Sequence, residues 1–227
     1  MPSCRGVAVF VLAACAAVGG PPVGQAADST APELAAALQR KYDGIRDFSA
    51  DFTHAYEGGV LHKLITERGR LLVKKPGKMR WDYSAPETKQ FISDGVRMYS
   101  YIPEDKQVIV ASVPPEEDAP TPALFLAGRG NLARDFTPSL VDAPVRAPAG
   151  SRALKLVPKA KQQDYDWLVL VLDPDTLSLR GLVTVDAQGG TSTFSFTNLK
   201  ENIGLADKVF AFKIPRGVDV VSAPPRN

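Results

Sequence analysis

Histidine and cysteine, on which most zinc, thiolate and acid–base sites are built, are almost missing: the 227-residue chain holds two of each. Both cysteines, Cys4 and Cys15, lie in an apolar leader, so a chain starting at Ala27 has no thiol, no disulfide and no thiolate metal ligand. Its core must stand on packing alone. His54 and His62 flank Gly58-Gly59, a spacing that lets them face one another across a hairpin. Two imidazoles without a cysteine or a well-placed carboxylate make a poor zinc set, and surface positions suit both. The chain has no Gly-x-Ser-x-Gly elbow, no phosphate-binding glycine loop after a strand and no dinucleotide fingerprint. Asp164, Asp166, Asp173 and Asp175 flank a strand and read as solvated turns rather than a glycosidase pair. These absences argue against an enzyme, and no cofactor or metal is expected.

Charge of one sign is lacking too. The 27 basic and 25 acidic residues leave a net charge of +2, with no basic stripe for a phosphate backbone, which excludes nucleic acid as a partner. Beyond the leader no apolar run approaches the roughly 20 residues that a membrane-spanning helix needs.

The leader itself reads as an export signal. Arg5 supplies the positive start, residues 6–18 are almost entirely apolar, and Gly24-Gln25-Ala26 places small residues where a signal peptidase cuts, so residues 1–26 are expected to be removed. Leu12-Ala13-Ala14-Cys15 also reads as a lipobox, in which an acylated Cys15 becomes the mature end and residues 16–30 a tether. The two alternatives put the protein free in the periplasm or lipid-anchored to a membrane facing it.

What is present is a β protein with one opening helix. Ser29 and Thr30 precede Ala31-Pro32, and Leu34, Leu38, Tyr42 and Ile45 then recur at helical spacing, as in a capped helix laying one face on a sheet. Strands are expected at 48–56, 65–74, 79–83, 91–92, 96–101, 108–113, 154–156, 167–172, 179–185, 193–199 and 209–214, joined by tight turns into an antiparallel meander of ten or eleven strands. With 44% hydrophobic residues, residues 27–227 can form one domain around one sizeable core. Asp94-Gly95 is the strongest hairpin signal. An odd loop at Lys75-Pro76-Gly77 would set Leu71, Val73, Met79, Trp81 and Tyr83 on one face, and Arg70, Lys74, Lys78, Arg80 and Asp82 on the other.

Two features depart from an ordinary half-wet sheet. Residues 167–172, WLVLVL, are apolar on both alternating faces, so each face needs a dry neighbour: a helix, a second sheet or a cavity. Residues 121–128 carry a Thr-Pro opening, the apolar body Leu124-Phe125-Leu126 and a closing glycine, a helix too short to stand alone and flanked by places where it can swing. Taken one by one, the apolar residues fit an ordinary core, and the short helix fits a fixed plug.

The stretch 71–102 brings these signals together. Its strand ending in Lys75-Pro76, the run Arg80-Trp81-Asp82-Tyr83, Pro86, Ser93-Asp94-Gly95, Tyr99 and Tyr101 resemble the outer-membrane lipoprotein carrier (LolA) family, with weaker likeness at 121–127 and 210–218. The resemblance implies a mainly β (α+β) fold, a single strongly curved antiparallel sheet forming an incomplete barrel, covered by short helices that enclose an apolar cavity. It implies a monomeric periplasmic carrier that takes acylated lipoproteins from an inner-membrane ABC exporter to an outer-membrane receptor. The alternative is an anchored receptor or lipid sensor of the same shape, acylated at Cys15. The expected cavity residues are Leu71, Val73, Met79, Trp81, Tyr83, Met98, Tyr101, Trp167, Val169, Val171, Phe194 and Phe196. The lid is expected at Leu124, Phe125 and Leu126, with Lys75 and Arg80 as its latch. Lys75 stands where the family commonly has arginine, so the latch must use a point charge instead of a planar five-donor fork.

Overall fold

The computed structural model describes residues 29–58, 63–113, 126–128, 130–144, 147–162 and 165–223. The leader, Cys15, His62, Leu124 and Phe125 lie outside them.

Helix α1 (Ala31–Asp43) begins where the sequence pattern places it. Thr30 Oγ1 accepts from the Glu33 amide at 3.4 Å while the Glu33 carboxylate accepts from the Thr30 amide at 2.8 Å, so two amides that a helix start would leave unpaired are satisfied. Its apolar stripe, Leu34, Ala35, Leu38 and Tyr42, is buried.

Twelve strands among the described residues form one sheet. In chain order they are β1 (Asp47–Glu57), β2 (Leu64–Lys74), β3 (Lys78–Ala85), β4 (Lys89–Asp94), β5 (Arg97–Ile102), β6 (Gln107–Ser112), β7 (Phe136–Val141), β8 (Arg152–Pro158), β9 (Trp167–Leu172), β10 (Leu179–Val185), β11 (Thr191–Glu201) and β12 (Asp219–Ser222). The one-turn helix α2 (Leu132–Asp135) precedes β7. Spatially the order is β12-β6-β5-β4-β3-β2-β1-β11-β10-β9-β8-β7, antiparallel throughout except where β12 joins β6 in parallel. The chain therefore runs two meanders, joined at the centre where β1 pairs with both β2 and β11. The curved sheet leaves β7 and β12 as unpaired edges, the open form of a barrel.

Register follows from the turns. Lys74 pairs with Lys78 across the three-residue loop Lys75-Pro76-Gly77, in which Gly77 takes the left-handed φ of 73°. Leu71 then faces Trp81 and Val73 faces Met79, all on the concave side. At β4–β5, Asp94 Oδ1 accepts from the amides of Val96 and Arg97 at 2.8 and 2.7 Å, an Asx turn that leaves Gly95 at φ 97°.

One expected strand is absent and two were not foreseen. Residues 209–214 form no strand; a 3-10 turn at Asp207–Phe210 leads into irregular chain that crosses the convex face. Lys74 and Lys78 both pair with Asp207, at 2.6 and 2.8 Å, and Arg80 Nη1 donates to the Val209 carbonyl at 3.3 Å. The segment lies over strands already paired on both sides, so its alternating aromatics pack downward: Phe212 meets Tyr99 at 5.2 Å. The unforeseen strands are the two edges: β7 contains Pro138 and sits where a missing amide donor is tolerated, and the four-residue β12 joins β6 in parallel.

Gly69 is the tightest point of the central hairpin. A Cβ there would lie 2.2 Å from the Asp82 carbonyl and 2.6 Å from Phe52 Cζ, and neither can retreat within the sheet. Gly69→Ala is therefore expected to cost about 1–3 kcal/mol through overpacking. A urea midpoint unchanged from that of the parent chain would contradict this.

Candidate functional site

The concave face supplies a continuous apolar surface. Leu154 and Leu156 of β8, Leu168, Leu170 and Leu172 of β9, Leu182 of β10, Phe196 of β11, Phe48 and Phe52 of β1, Leu71 and Val73 of β2, and Met79 and Trp81 of β3 belong to one buried cluster. Helix α1, Leu126-Ala127 and Leu132 of α2 are part of the same cluster, so they form its cover. At the centre lies a set of aromatic rings: Phe52 stands edge-on to Trp81 at 5.1 Å and to Tyr83 at 4.8 Å, and Phe194 lies 5.3 Å from Trp81. An apolar cleft of about 400 Å³, counting space open to solvent, runs between α1 and the sheet. Leu38, Tyr42, Phe48, Leu126, Leu170 and Leu199 line it, and the Lys41–Glu201 ion pair, at 2.8 Å, stands at its rim.

The cover is tied down by a small polar junction. Tyr42 Oη donates to the Leu126 carbonyl, Lys75 Nζ donates to the Tyr42 carbonyl, and the Gly77 amide donates to the Ala127 carbonyl at 2.9 Å. The Lys75 ammonium also sits 3.5 Å from the centre of the Tyr42 ring, a cation–π contact. Its stem presses on Gly128, where an added Cβ would come within 2.6 Å of Lys75 Cδ and where φ is 78°. Three separate pieces of chain, the end of α1, the β2–β3 loop and residues 126–128, therefore meet at one lysine. Burial lowers the Lys75 pKa to about 8, against the opposing pull of Asp43, and burial raises that of Tyr42.

The residues expected to line a cavity divide between the two faces. Leu71, Val73, Met79, Trp81, Tyr83, Met98, Phe194 and Phe196 are on the concave face; the first four and Phe196 are closed off from solvent, while Tyr83, Met98 and Phe194 are half-buried. Trp167, Val169 and Val171 are on the convex side, where Val169 and Val171 pack with Ala153 and Val183 beneath Ala143 and Ala147. Their neighbours Leu168, Leu170 and Leu172 face the helix instead. Tyr101 is also convex, with Phe212 at 5.7 Å. Arg80 is on the same side, held by Asp82 at 2.7 Å and by Val209, away from Leu126. Leu126 is 1% exposed; the other two lid residues are outside the described part.

A second polar group crosses the concave face farther along the strands. His54 Nδ1 lies 3.0 Å from Glu67 Oε2 and Nε2 lies 3.3 Å from Ser192 Oγ, while its ring stacks on Phe194 at 4.1 Å. Lys89 pairs with Glu67 and stands 4.5 Å from the Tyr83 ring. His54 is thus paired in register with Glu67 rather than with His62. Among the described residues no group of three or more His, Cys, Asp or Glu is arranged to hold a metal.

An open, curved antiparallel sheet with a helix and a tied segment over an apolar concave face defines a class of half-barrel folds. The profile of the family described as outer membrane lipoprotein carrier protein LolA matches residues 43–213, and the chain belongs to that family. Outer-membrane lipoprotein carrier proteins of Methylococcus capsulatus and Methylobacillus flagellatus are each 31% identical to it, over 81% and 70% of this chain and 85% and 75% of theirs. Among solved structures, an uncharacterised conserved protein of Thermus thermophilus shares the fold with a TM-score of 0.53 and 12% identity, over 83% of this chain and 99% of the other.

The junction carries a pH signature. The folded-state pKa of Lys75 is below the ordinary 10.5, so between about pH 8 and 10.5 the unfolded chain holds more protons, and stability rises with pH across that window. Thermal melts should show this rise in the parent chain and lose it in Lys75→Met; parallel curves would exclude it.

Proposed function

We propose that the protein carries acylated lipoproteins across the periplasm, holding their acyl chains against the concave face after residues 126–128 have moved. The single observation that carries this reading is the imbalance between the interior and its fastening. A broad apolar surface spanning β3 to β8 is closed over Leu126-Ala127 by three hydrogen bonds and one cation–π contact. Each such hydrogen bond contributes about 1 kcal/mol net and the cation–π contact about 0.5–2 kcal/mol.

Magnitudes favour a closure of that size. An acyl chain of about 16 carbons would gain roughly 12 kcal/mol on full burial, at about 0.8 kcal/mol per methylene, and three such chains would exceed any usable affinity. A carrier that must release needs partial burial and an empty state that competes. The polar junction fastens the empty state, and the cost of burying the Lys75 ammonium, which lowers its pKa to about 8, keeps that fastening weak enough to allow loading. In this reading Lys75 is the latch, Leu126 belongs to the lid, and the partners are an inner-membrane ABC exporter that loads the protein and an outer-membrane receptor that unloads it. Arg80 instead fastens the C-terminal segment.

Native mass spectrometry of the protein made with its own leader in a Gram-negative host tests the reading. The expected species is soluble, begins near Ala27 and releases an acylated lipoprotein on activation. A species found only in membranes and beginning at acylated Cys15 would mean an anchored receptor or sensor. Leu126→Asp, which sets a carboxylate against the apolar cluster, should abolish lipoprotein capture while circular dichroism stays that of the parent; undiminished capture would remove residues 126–128 from the mechanism.

A further inference from the structure

The polar row of His54, Glu67, Lys89 and Ser192 interrupts a face that is otherwise given over to leucine and aromatic side chains. Its members come from four strands, β1, β2, β4 and β11, and converge on the concave side at the strand ends remote from the Lys75 junction. The side chains of His54, Glu67 and Lys89 are 14%, 12% and 23% exposed, so the row is reachable at a rim yet mostly shielded. It borders apolar side chains that do reach solvent, Ile65 at 40% and Phe91 at 37%. Apolar chain and polar head would therefore find their surfaces side by side.

Protonation fixes which atoms remain available. Burial pushes the Glu67 carboxyl up, but hydrogen bonds from Lys89 and His54 outweigh it and hold its pKa below the ordinary value. An ionised carboxylate only accepts, so His54 Nδ1 carries the proton and donates to Glu67. Burial lowers the His54 pKa despite the opposing pull of Glu67, so near neutrality Nε2 is a bare acceptor and accepts a hydrogen bond from the Ser192 hydroxyl. Two capacities are then left: the Ser192 oxygen can accept, and Lys89, with three N–H bonds, has donors beyond the one used on Glu67.

The order Ser192, His54, Glu67 is that of a hydrolytic triad, but no hydrolysis is assigned. Ser192 lies within β11, paired with Tyr56 on one side and Thr184 on the other, so ladder bonds occupy the backbone amides that an oxyanion would need.

We propose that this row is a recognition site for the polar end of an acylated amino terminus, in which Lys89 donates to an ester carbonyl at one end of the row and Ser192 Oγ accepts from an amide N–H at the other. His54 and Glu67 are positioning residues: they orient the hydroxyl and hold the ammonium over Tyr83. The site rests on the carrier reading and adds to it a test of head-group chemistry. A free acyl chain satisfies neither capacity, and a phospholipid offers carbonyls without the N–H.

Three probes separate these cases: a dipalmitoylglyceryl-cysteinyl peptide, dioctanoyl phosphatidylcholine, whose head group has no N–H or O–H donor, and the apolar dye diphenylhexatriene, which reads the interior alone. Lys89→Met keeps the apolar stem, and Ser192→Ala removes one oxygen. Each should weaken the lipopeptide by about tenfold, the loss of one good hydrogen bond, and leave the dye unchanged. Ser192→Ala should leave the phospholipid unchanged as well. Equal losses for lipopeptide and dye would show that the row only supports packing, and would overturn the site while leaving the carrier reading intact. Equal losses for lipopeptide and phospholipid in Ser192→Ala would overturn the N–H assignment. A parent chain that binds neither lipopeptide nor dye would refute the carrier reading, and the site with it.

Discussion

A sheet face built from leucine, phenylalanine, tryptophan and methionine has to be kept from water, and the rest of this architecture follows from how that is done. Curvature brings β8 and β3 toward the same buried cluster, and α1 fills part of the hollow between them. A flat sheet of twelve strands would need far more cover than a helix of 13 residues and a one-turn helix can give. Because the sheet stays open at β7 and β12, its enclosure depends on covering elements rather than on closing the strand ladder. That is a weaker form of closure than a sealed barrel, and it is the form that lets an interior be entered.

The cover is held unevenly. Apolar burial is spread over the whole face, whereas directional contacts gather at Tyr42, Lys75 and Gly77. Dispersed apolar contacts favour many neighbouring arrangements about equally, while hydrogen bonds select one. Buried area therefore sets the overall stability, and three polar contacts choose this particular seating of residues 126–128. The lysine at the junction keeps one hydrogen bond and one ring contact where a guanidinium fork could span several acceptors.

Much of this was legible in the chain because turns declare register. Lys75-Pro76-Gly77 and Asp94-Gly95 fix β2 to β5, and with them the sidedness of Leu71, Val73, Met79, Trp81 and Tyr83. The α1 stripe and its Thr30 cap were equally plain. Sidedness failed where alternation carries no information. In β9 every residue is apolar, so a period of two cannot distinguish Val169 from Leu168, and only the cover supplied by Ala143 and Ala147 decides it. Tyr101 was misplaced for a related reason: a convex face hidden by the C-terminal segment looks, in sequence, like a concave one, whereas Arg80 lies on the face its alternation gave and is held there by the C-terminal segment. The His54–Glu67 pair required the register of the β1–β2 hairpin, which Gly58-Gly59 suggests only approximately. Lys89 and Ser192 join it from strands far away in sequence, and no local pattern announces such a meeting.

The β2–β3 tip has a mechanical aspect. Lys75 reaches inward to α1, while its neighbours Lys74 and Lys78 reach outward to Asp207, so one short turn is gripped from both surfaces of the sheet. Inside, the grip is shielded from water; outside, Asp207 is 62% exposed and its ion pairs are open to dissolved salt. A displacement of the tip is felt at both ends. The turn therefore works as a joint through which the ionic strength of the surroundings can bear on a dry interior it never touches.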